Sequence, residues 1–325
     1  MDGMSNLPVV ALHIPDGFLS APVAIAFWAA TIAMVGLALR RTSGALNERQ
    51  IPLMGVMAAF IFAAQMLNFP VLGGTSGHLL GGALAAMLLG PWAGILVMAC
   101  VIGLQALLFQ DGGLLAMGAN IFDMGVVTAV FGGWLGRGLL LQLRAQKWGL
   151  LVAGFVAAWA SVLAAAALCA LQLTLSGINP VVVFPAMLSV HVFIGIGEGL
   201  ITVAALGFIL STRPDLVPDL ASDAPARPIG RGAVGGIALV GLLMAAGAAL
   251  LSPLASGDPD GLERVAENLG FLERAQDAPF NVLPDYTVPG LDGSISTILA
   301  GVVGLLIVFA LAYGIAQLMR TRREA

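Results

Sequence analysis

The chain has 325 residues, 59% of them hydrophobic and 10% charged, with a mean hydropathy of +0.98 and a formal net charge of -4. Soluble domains carry about 25% charged residues, so composition excludes a water-soluble globular protein and points to an all-α, polytopic membrane protein. The net charge decides little, because only the placement of the charges is informative, and no nucleic-acid partner is expected.

Residues 1–12 lack a basic leading region, and their apolar run is too short for a secretory signal. Apolar runs of bilayer-crossing length then recur along the chain. They predict nine spans, at 21–40, 51–69, 78–90, 92–109, 114–136, 148–174, 181–211, 233–252 and 294–319. The stretch 181–211 is long for one crossing and accommodates tilt. With the N-terminus outside, four groups of cations fall in inner segments: Arg40, Arg41 and Arg49; Arg137, Arg144 and Lys147; Arg213, Arg227 and Arg231; Arg320, Arg322 and Arg323. Arg264 and Arg274 are left in one outer loop, among acidic residues. The positive-inside rule therefore favours N-out, C-in.

The segment "TRPDLVPDLASDAPARPIGRG" at 212–232 is rich in Pro, Asp and Arg and reads as an inner linker. It separates a seven-span unit, 1–211, from a two-span hairpin, 233–325. In the hairpin's outer loop, "DPDGLERVAENLGFLERA" reads as a short amphipathic helix. Leu262, Val265, Ala266 and Leu269 share one face. Asp260 sits in the N-cap position, with Glu263 three residues later. Two readings of this helix stay open: it rests on the membrane surface or the larger unit, or it gates a substrate site. Cys100 and Cys169 fall in different spans and read as small packing residues. Gly55, Ala59 and Ala63 form a small-residue stripe on which another helix can approach. Lys147 is the chain's lysine and follows no Gly-rich loop, so ATP hydrolysis through a Walker A loop is excluded.

Polar residues are scarce enough to be singled out. A histidine second from a free N-terminus offers three nitrogens in sequence: the terminal amine, its own amide and its imidazole Nδ1. These close five- and six-membered chelate rings in one plane, and a fourth nitrogen completes a square suited to Ni(II) or Cu(II). His13, in "ALHIPDGFLS", fits this role if the amine belongs to Leu12, through initiation at a leucine triplet or processing after Ala11. A chain beginning at Met1 would offer imidazoles and an ordinary amide only. Pro15-Asp16-Gly17 turns the chain back toward the bundle. His78 lies on the same outer side and is the candidate fourth ligand, its alternative being a helix cap or a hydrogen bond to backbone in a Gly-rich turn. Gln65, Asn68, Asn120, Asp123, His191 and Glu198 are candidates for groups that orient the ligands from outside. His191 and Glu198 lie two helical turns apart and share a face. The leading alternative for His191 is a helix–helix hydrogen bond, and for Glu198 a structural bond to a polar neighbour. Asp111, in "QDGG", reads as a turn residue at the outer surface.

Together, "HIPDGFLS", "AAQMLNFP", "GGTSGHLLGG", "DGGLLAMGAN" and "HVFIGIGEGLIT" resemble, in order, the CbiM/NikM family: substrate-binding membrane components of energy-coupling-factor transporters for cobalt and nickel. The tail, with "PDGLERVAENLGF", resembles the PDGLE domain, the NikN-type small subunit. The resemblance implies Ni²⁺ or Co²⁺ as transported substrate, held by Leu12 as mature N-terminal amine, His13 and His78. It implies a transmembrane coupling subunit and cytoplasmic ATPases as partners, and a bacterial inner-membrane location. Asp123 departs from the family, which more often carries Asn there. Two other classes compete: a proton- or sodium-coupled secondary transporter using Glu198 and Asp123, and an intramembrane enzyme using Glu198, Asp123 and His191. The enzyme reading lacks any H-E-x-x-H motif.

Overall fold

The computed structural model describes residues 13–44, 46, 48–143, 146–217, 231–280 and 282–321. Its elements run in chain order as α1 (Ala21–Thr42), α2 (Gln50–Gln65), β1 (Phe69–Val71), β2 (Thr75–Gly77), α3 (Gly82–Leu89), α4 (Pro91–Phe109) and α5 (Met117–Gln142). They continue as α6 (Lys147–Leu175), α7 (Pro180–Thr212), α8 (Arg231–Leu251), α9 (Gly261–Leu269) and α10 (Ser294–Thr321). Among them α1, α4, α5, α6, α7 and α10 are long and apolar enough to cross a membrane. Helix prevails because a bilayer offers backbone amides and carbonyls no water, so they must pair within their own segment. The protein is a polytopic, predominantly helical membrane protein.

The helices share a common pair of ends. One end gathers His13, the start of α1, Asp111 and the end of α6, where the Ser20 amide donates to Ser176 Oγ at 2.9 Å. The other gathers Arg41, which lies 5.7 Å over the Trp92 ring at the start of α4, and the Arg320–Glu48 pair at 3.1 Å. Arg40, Arg49, Arg137, Lys147 and Arg213 sit on helix termini at that second end. Arg264 and Arg274 sit at the His13 end, where Gln276 bridges to Asp16.

Helix α2 is apolar on every side, and nearly all of it is buried. The reason is that α8 and α10, from the C-terminal part of the chain, pack on it from one flank and α4 from another. Gly55 lies directly under Phe309 of α10, where a Cβ would come within 2.9 Å of the ring. The small-residue stripe predicted there receives that helix.

The third predicted span departs from expectation. Residues 78–90 form no continuous helix: α3 has eight residues, about 12 Å at 1.5 Å per residue. The chain nevertheless runs from end to end, since His78 lies beside His13 and Trp92 beneath Arg41. It enters through the antiparallel hairpin of β1 and β2 (Phe69↔Gly77, Pro70↔Ser76, Val71↔Thr75), continues extended, and turns helical at Gly82. Extended backbone inside a bundle needs side-chain partners, and it has them. The Leu80 amide donates to Glu198 Oε2 at 2.6 Å and the Gly81 amide to Glu198 Oε1 at 2.9 Å. The Leu80 carbonyl accepts from Gln65 Nε2 at 2.9 Å. Two polar residues of neighbouring helices thus replace the missing helical turns.

Candidate metal site

At the His13 end three segments of the larger unit converge. The first is the N-terminal stretch 13–20. Its Ile14 is held on both sides by Asn120: the Ile14 amide donates to Oδ1 and the Ile14 carbonyl accepts from Nδ2, each at 3.0 Å. The Ile14 carbonyl also accepts from the Gly113 amide at 3.0 Å, and Asp16 Oδ1 accepts from the Ala116 amide at 2.9 Å. The second segment carries His78 between β2 and α3, fixed from below by Glu198 and Gln65. The third is the turn 110–113, where Gly112 has φ +96° and a Cβ would press to 3.0 Å from the His13 Cβ. Glycine is required there both for the turn and for the approach.

These segments bring His13 and His78 together. Their ring centroids are 5.6 Å apart with the planes inclined at 62°, and the residues are 2% and 7% exposed. Both line a cavity of about 80 Å³, together with Asn120, Asp123, His191 and Asp260. His13 Nδ1 pairs with Asp111 Oδ1 at 2.6 Å, whereas its Nε2 is buried without a hydrogen-bond partner. Burial alone pulls the His13 imidazole down, but the charge and hydrogen bond of Asp111 more than reverse this and hold it above the ordinary value. Burial likewise pushes Asp111 up, and His13 and the Tyr286 hydroxyl reverse that, holding it below the usual carboxylate range.

The loop between α8 and α10 covers the site. The Ser76 amide donates to the Pro259 carbonyl and Ser76 Oγ to that of Asp258, both at 2.8 Å. The Arg264 guanidinium donates to the Gly74 carbonyl. Helix α9 forms as its sequence predicts, with Asp260 Oδ1 accepting from the Glu263 amide at 2.7 Å and Leu262, Val265 and Ala266 buried. It rests on α7 and β2. Gly261 lies over His191, where a Cβ would come within 2.9 Å of Cε1. The helix therefore sits on the larger unit, as the first of its two readings had it, and its first turn also lines the cavity. Burial pushes the Asp260 carboxyl up to about 7.

The remaining candidates sort as follows. Asp123 accepts from Gln172 Nε2 at 2.7 Å, while its Oδ2 is buried without a partner. His191 uses Nδ1 on the Met187 carbonyl of its own helix, 2.7 Å away, and makes no helix–helix bond through that nitrogen. Gln65 and Glu198 hold the His78 segment by its backbone. Asn68 stands before β1, off the cavity, and its carbonyl accepts from the Ser256 amide at 2.8 Å. Leu12 lies outside the described residues. Asp111 corrects an expectation: it is 4% exposed, not a surface turn, because the N-terminal stretch folds over it. Sequence reasoning missed its role, and those of Tyr286 and Gln105 behind it. Among the described residues no group of three or more His, Cys, Asp or Glu is placed to hold a metal.

Residues 13–216 match the CbiM family, described as the cobalt uptake substrate-specific transmembrane region, over more than half of the chain. The chain belongs to this family. Residues 232–321 of this CbiM family member match the PDGLE domain. A putative fused nickel transport protein NikMN of Archaeoglobus fulgidus is 37% identical over 315 residues, covering 95% of this chain and 100% of that one. The fused nickel transport protein NikMN of Rhodobacter capsulatus is 34% identical, covering 66% of this chain and 67% of its own length. Crystal structures of a transition metal transporter and of a truncated one superpose with TM-scores of 0.54 at 32% and 30% identity, each covering 61% of this chain and 92% and 98% of theirs.

Proposed function

We propose that this CbiM family chain is the metal-capturing component of an energy-coupling-factor transporter that imports Ni²⁺ or Co²⁺ across a bacterial inner membrane. Residues 1–211 form the binding unit, 212–232 an inner linker and 233–325 the PDGLE/NikN-like hairpin. The segregation of cations to the end opposite His13 supports N-out, C-in, with the cavity at the outer face. The observation that carries the reading is the pair of buried imidazoles facing one small cavity, one of them one residue beyond Leu12. The amine of Leu12, the amide and Nδ1 of His13, and His78 would make a near-planar N4 set, and each must be free of its proton. Partner ATPases, through a membrane coupling subunit, would supply the energy, since this sequence carries no Walker A loop. Glu198 has both oxygens engaged on backbone amides, which counts against a secondary transporter driven through it.

Nickel titration of the purified chain tests the reading. Changing His13 or His78 to Ala should weaken binding by more than the 10–100-fold usual for residues behind the ligands. Intact mass should show an amine at residue 12. Uptake in cells should stop when the coupling and ATPase genes are removed. Full nickel binding by a chain starting at Met1, or by both alanine variants, overturns the N4 site; uptake by this chain alone overturns the partners.

A further inference from the structure

The outer loop of the second domain reaches the candidate metal site by a second route, away from α9. Its 284–286 turn docks beside the end of α4, with the Leu283 amide donating to the Leu108 carbonyl at 2.9 Å. Asp285 and Tyr286 both adopt positive φ there, +50° and +57°. Such values are uncommon for residues with a Cβ, and here they aim the Tyr286 side chain inward. Its ring stacks on Phe109 at 4.7 Å between centroids and 17° between planes, with Phe62 beyond at 6.0 Å. Its hydroxyl accepts from Gln105 Nε2 at 3.0 Å and donates to Asp111 Oδ2 at 2.5 Å. Asp111 Oδ1 in turn receives His13 Nδ1. A hydrogen-bonded chain thus links Tyr286 of the second domain, which accepts from Gln105, to the proposed ligand, with Tyr286 and His13 both bonding to the Asp111 carboxylate, and all four residues are buried.

The chain ends on the wrong nitrogen for the proposed chelate. Nδ1 is the one that closes a six-membered ring with the His13 amide, and it faces Asp111, while Nε2 is unpartnered. A half-turn about the Cβ–Cγ bond exchanges the two edges of the imidazole. Nδ1 then faces away from Asp111 with Cδ2 in its former place, and Nε2–H moves to the former Cε1 position on the carboxylate's side, which it reaches after a small shift of the ring or the carboxyl. A metal-bound imidazole that gives its other N–H to a carboxylate is better oriented and more basic.

We propose that Tyr286 is a positioning residue for the metal site: it fixes Asp111, and Asp111 holds the His13 ring by Nδ1 before metal capture and by Nε2–H after it. The inference rests on the metal-binding reading above. It makes the second domain a structural part of the site without touching the ion.

The test uses the full chain labelled with ¹⁵N-histidine and loaded with Ni²⁺, which is diamagnetic in a square-planar field and permits NMR. Metal-free protein should show His13 protonated at Nδ1 in a short hydrogen bond. The nickel form should show the proton at Nε2. Tyr286→Phe keeps the ring stack and removes the hydroxyl. It should shift the His13 proton resonance and weaken nickel binding about tenfold, with Asp111→Asn weakening it by up to roughly 100-fold. Unchanged affinity and an unchanged His13 resonance in Tyr286→Phe overturn the proposal, as does a nickel-loaded wild type without a proton on Nε2. That second measurement needs no variant to fold. Nickel binding that survives loss of both His13 and His78 instead overturns the underlying site.

Discussion

Replacing Glu198 with Ala tests how the broken third span is held. The substitution leaves the Leu80 and Gly81 amides, now accepted at 2.6 and 2.9 Å, with no acceptor in a fully buried setting. A buried donor left without its partner costs about 1–3 kcal/mol, so the pair gives roughly 2–6 kcal/mol. At about 2 °C per kcal/mol for a chain of this size, thermal unfolding in detergent should fall by roughly 4–12 °C. Glu198→Gln keeps one acceptor oxygen and turns an NH2 toward the other amide, so it should lose about half as much. Nickel affinity should drop in both, because the loosened backbone carries His78 two residues away. Wild-type stability in both variants, accompanied by lost uptake, would refute the structural role and turn attention back to proton movement through this carboxyl.

Asn120→Asp keeps the bond from the Ile14 amide but sets an oxygen against the Ile14 carbonyl; nickel affinity should fall about tenfold, measured by calorimetric titration, with unfolding little changed. Gly17→Ala places a Cβ into the Arg274 carbonyl at φ +91° and should cost about 1–3 kcal/mol of loop docking, seen as faster tryptic cleavage after Arg274. Docking of α9 should also depend on pH through Asp260, which faces His13, Asp111 and Glu263. Its carboxyl binds a proton more tightly docked, at about 7, than at the ordinary value near 4, so docking is strongest in acid, weakens as pH climbs between those values and is level above. Hydrogen-exchange protection factors across Gly261–Leu269 should show that slope, and Asp260→Asn should abolish it.

The helical class was legible because bilayer-length apolar runs leave few other structures open. The short helix α9 was legible too, from its cap and its face. The third span was misread as a helix, although Gly73, Gly74, Gly77, Gly81 and Gly82 around it were a warning. Apolarity reports burial, and buried extended backbone is equally apolar when other helices supply its partners. Those partners, Gln65 and Glu198, stood out as polar residues in spans, but their targets were backbone atoms, which a sequence does not display. His13 and His78 could be paired from their rarity and their shared side. Asp111 could not, since a turn motif reads the same whether or not another segment lies over it. Tyr286 was hidden further, because its contact spans 175 residues.

Beyond the packing of α8 and α10 on α2, the seam between the two domains is stitched through main chain: Gln276 to Asp16, Ser76 to Pro259 and Leu283 to Leu108. Such stitches place little demand on residue type, so the two halves can diverge in sequence and still fit. They are also individually weak in water. The covalent linker, 212–232, adds to them and to the helix packing, since a short linker holds its ends at an effective concentration of order millimolar. A version of this protein cut in the linker would have to meet its other half by mass action, and its cavity would then stand roofless for part of the time.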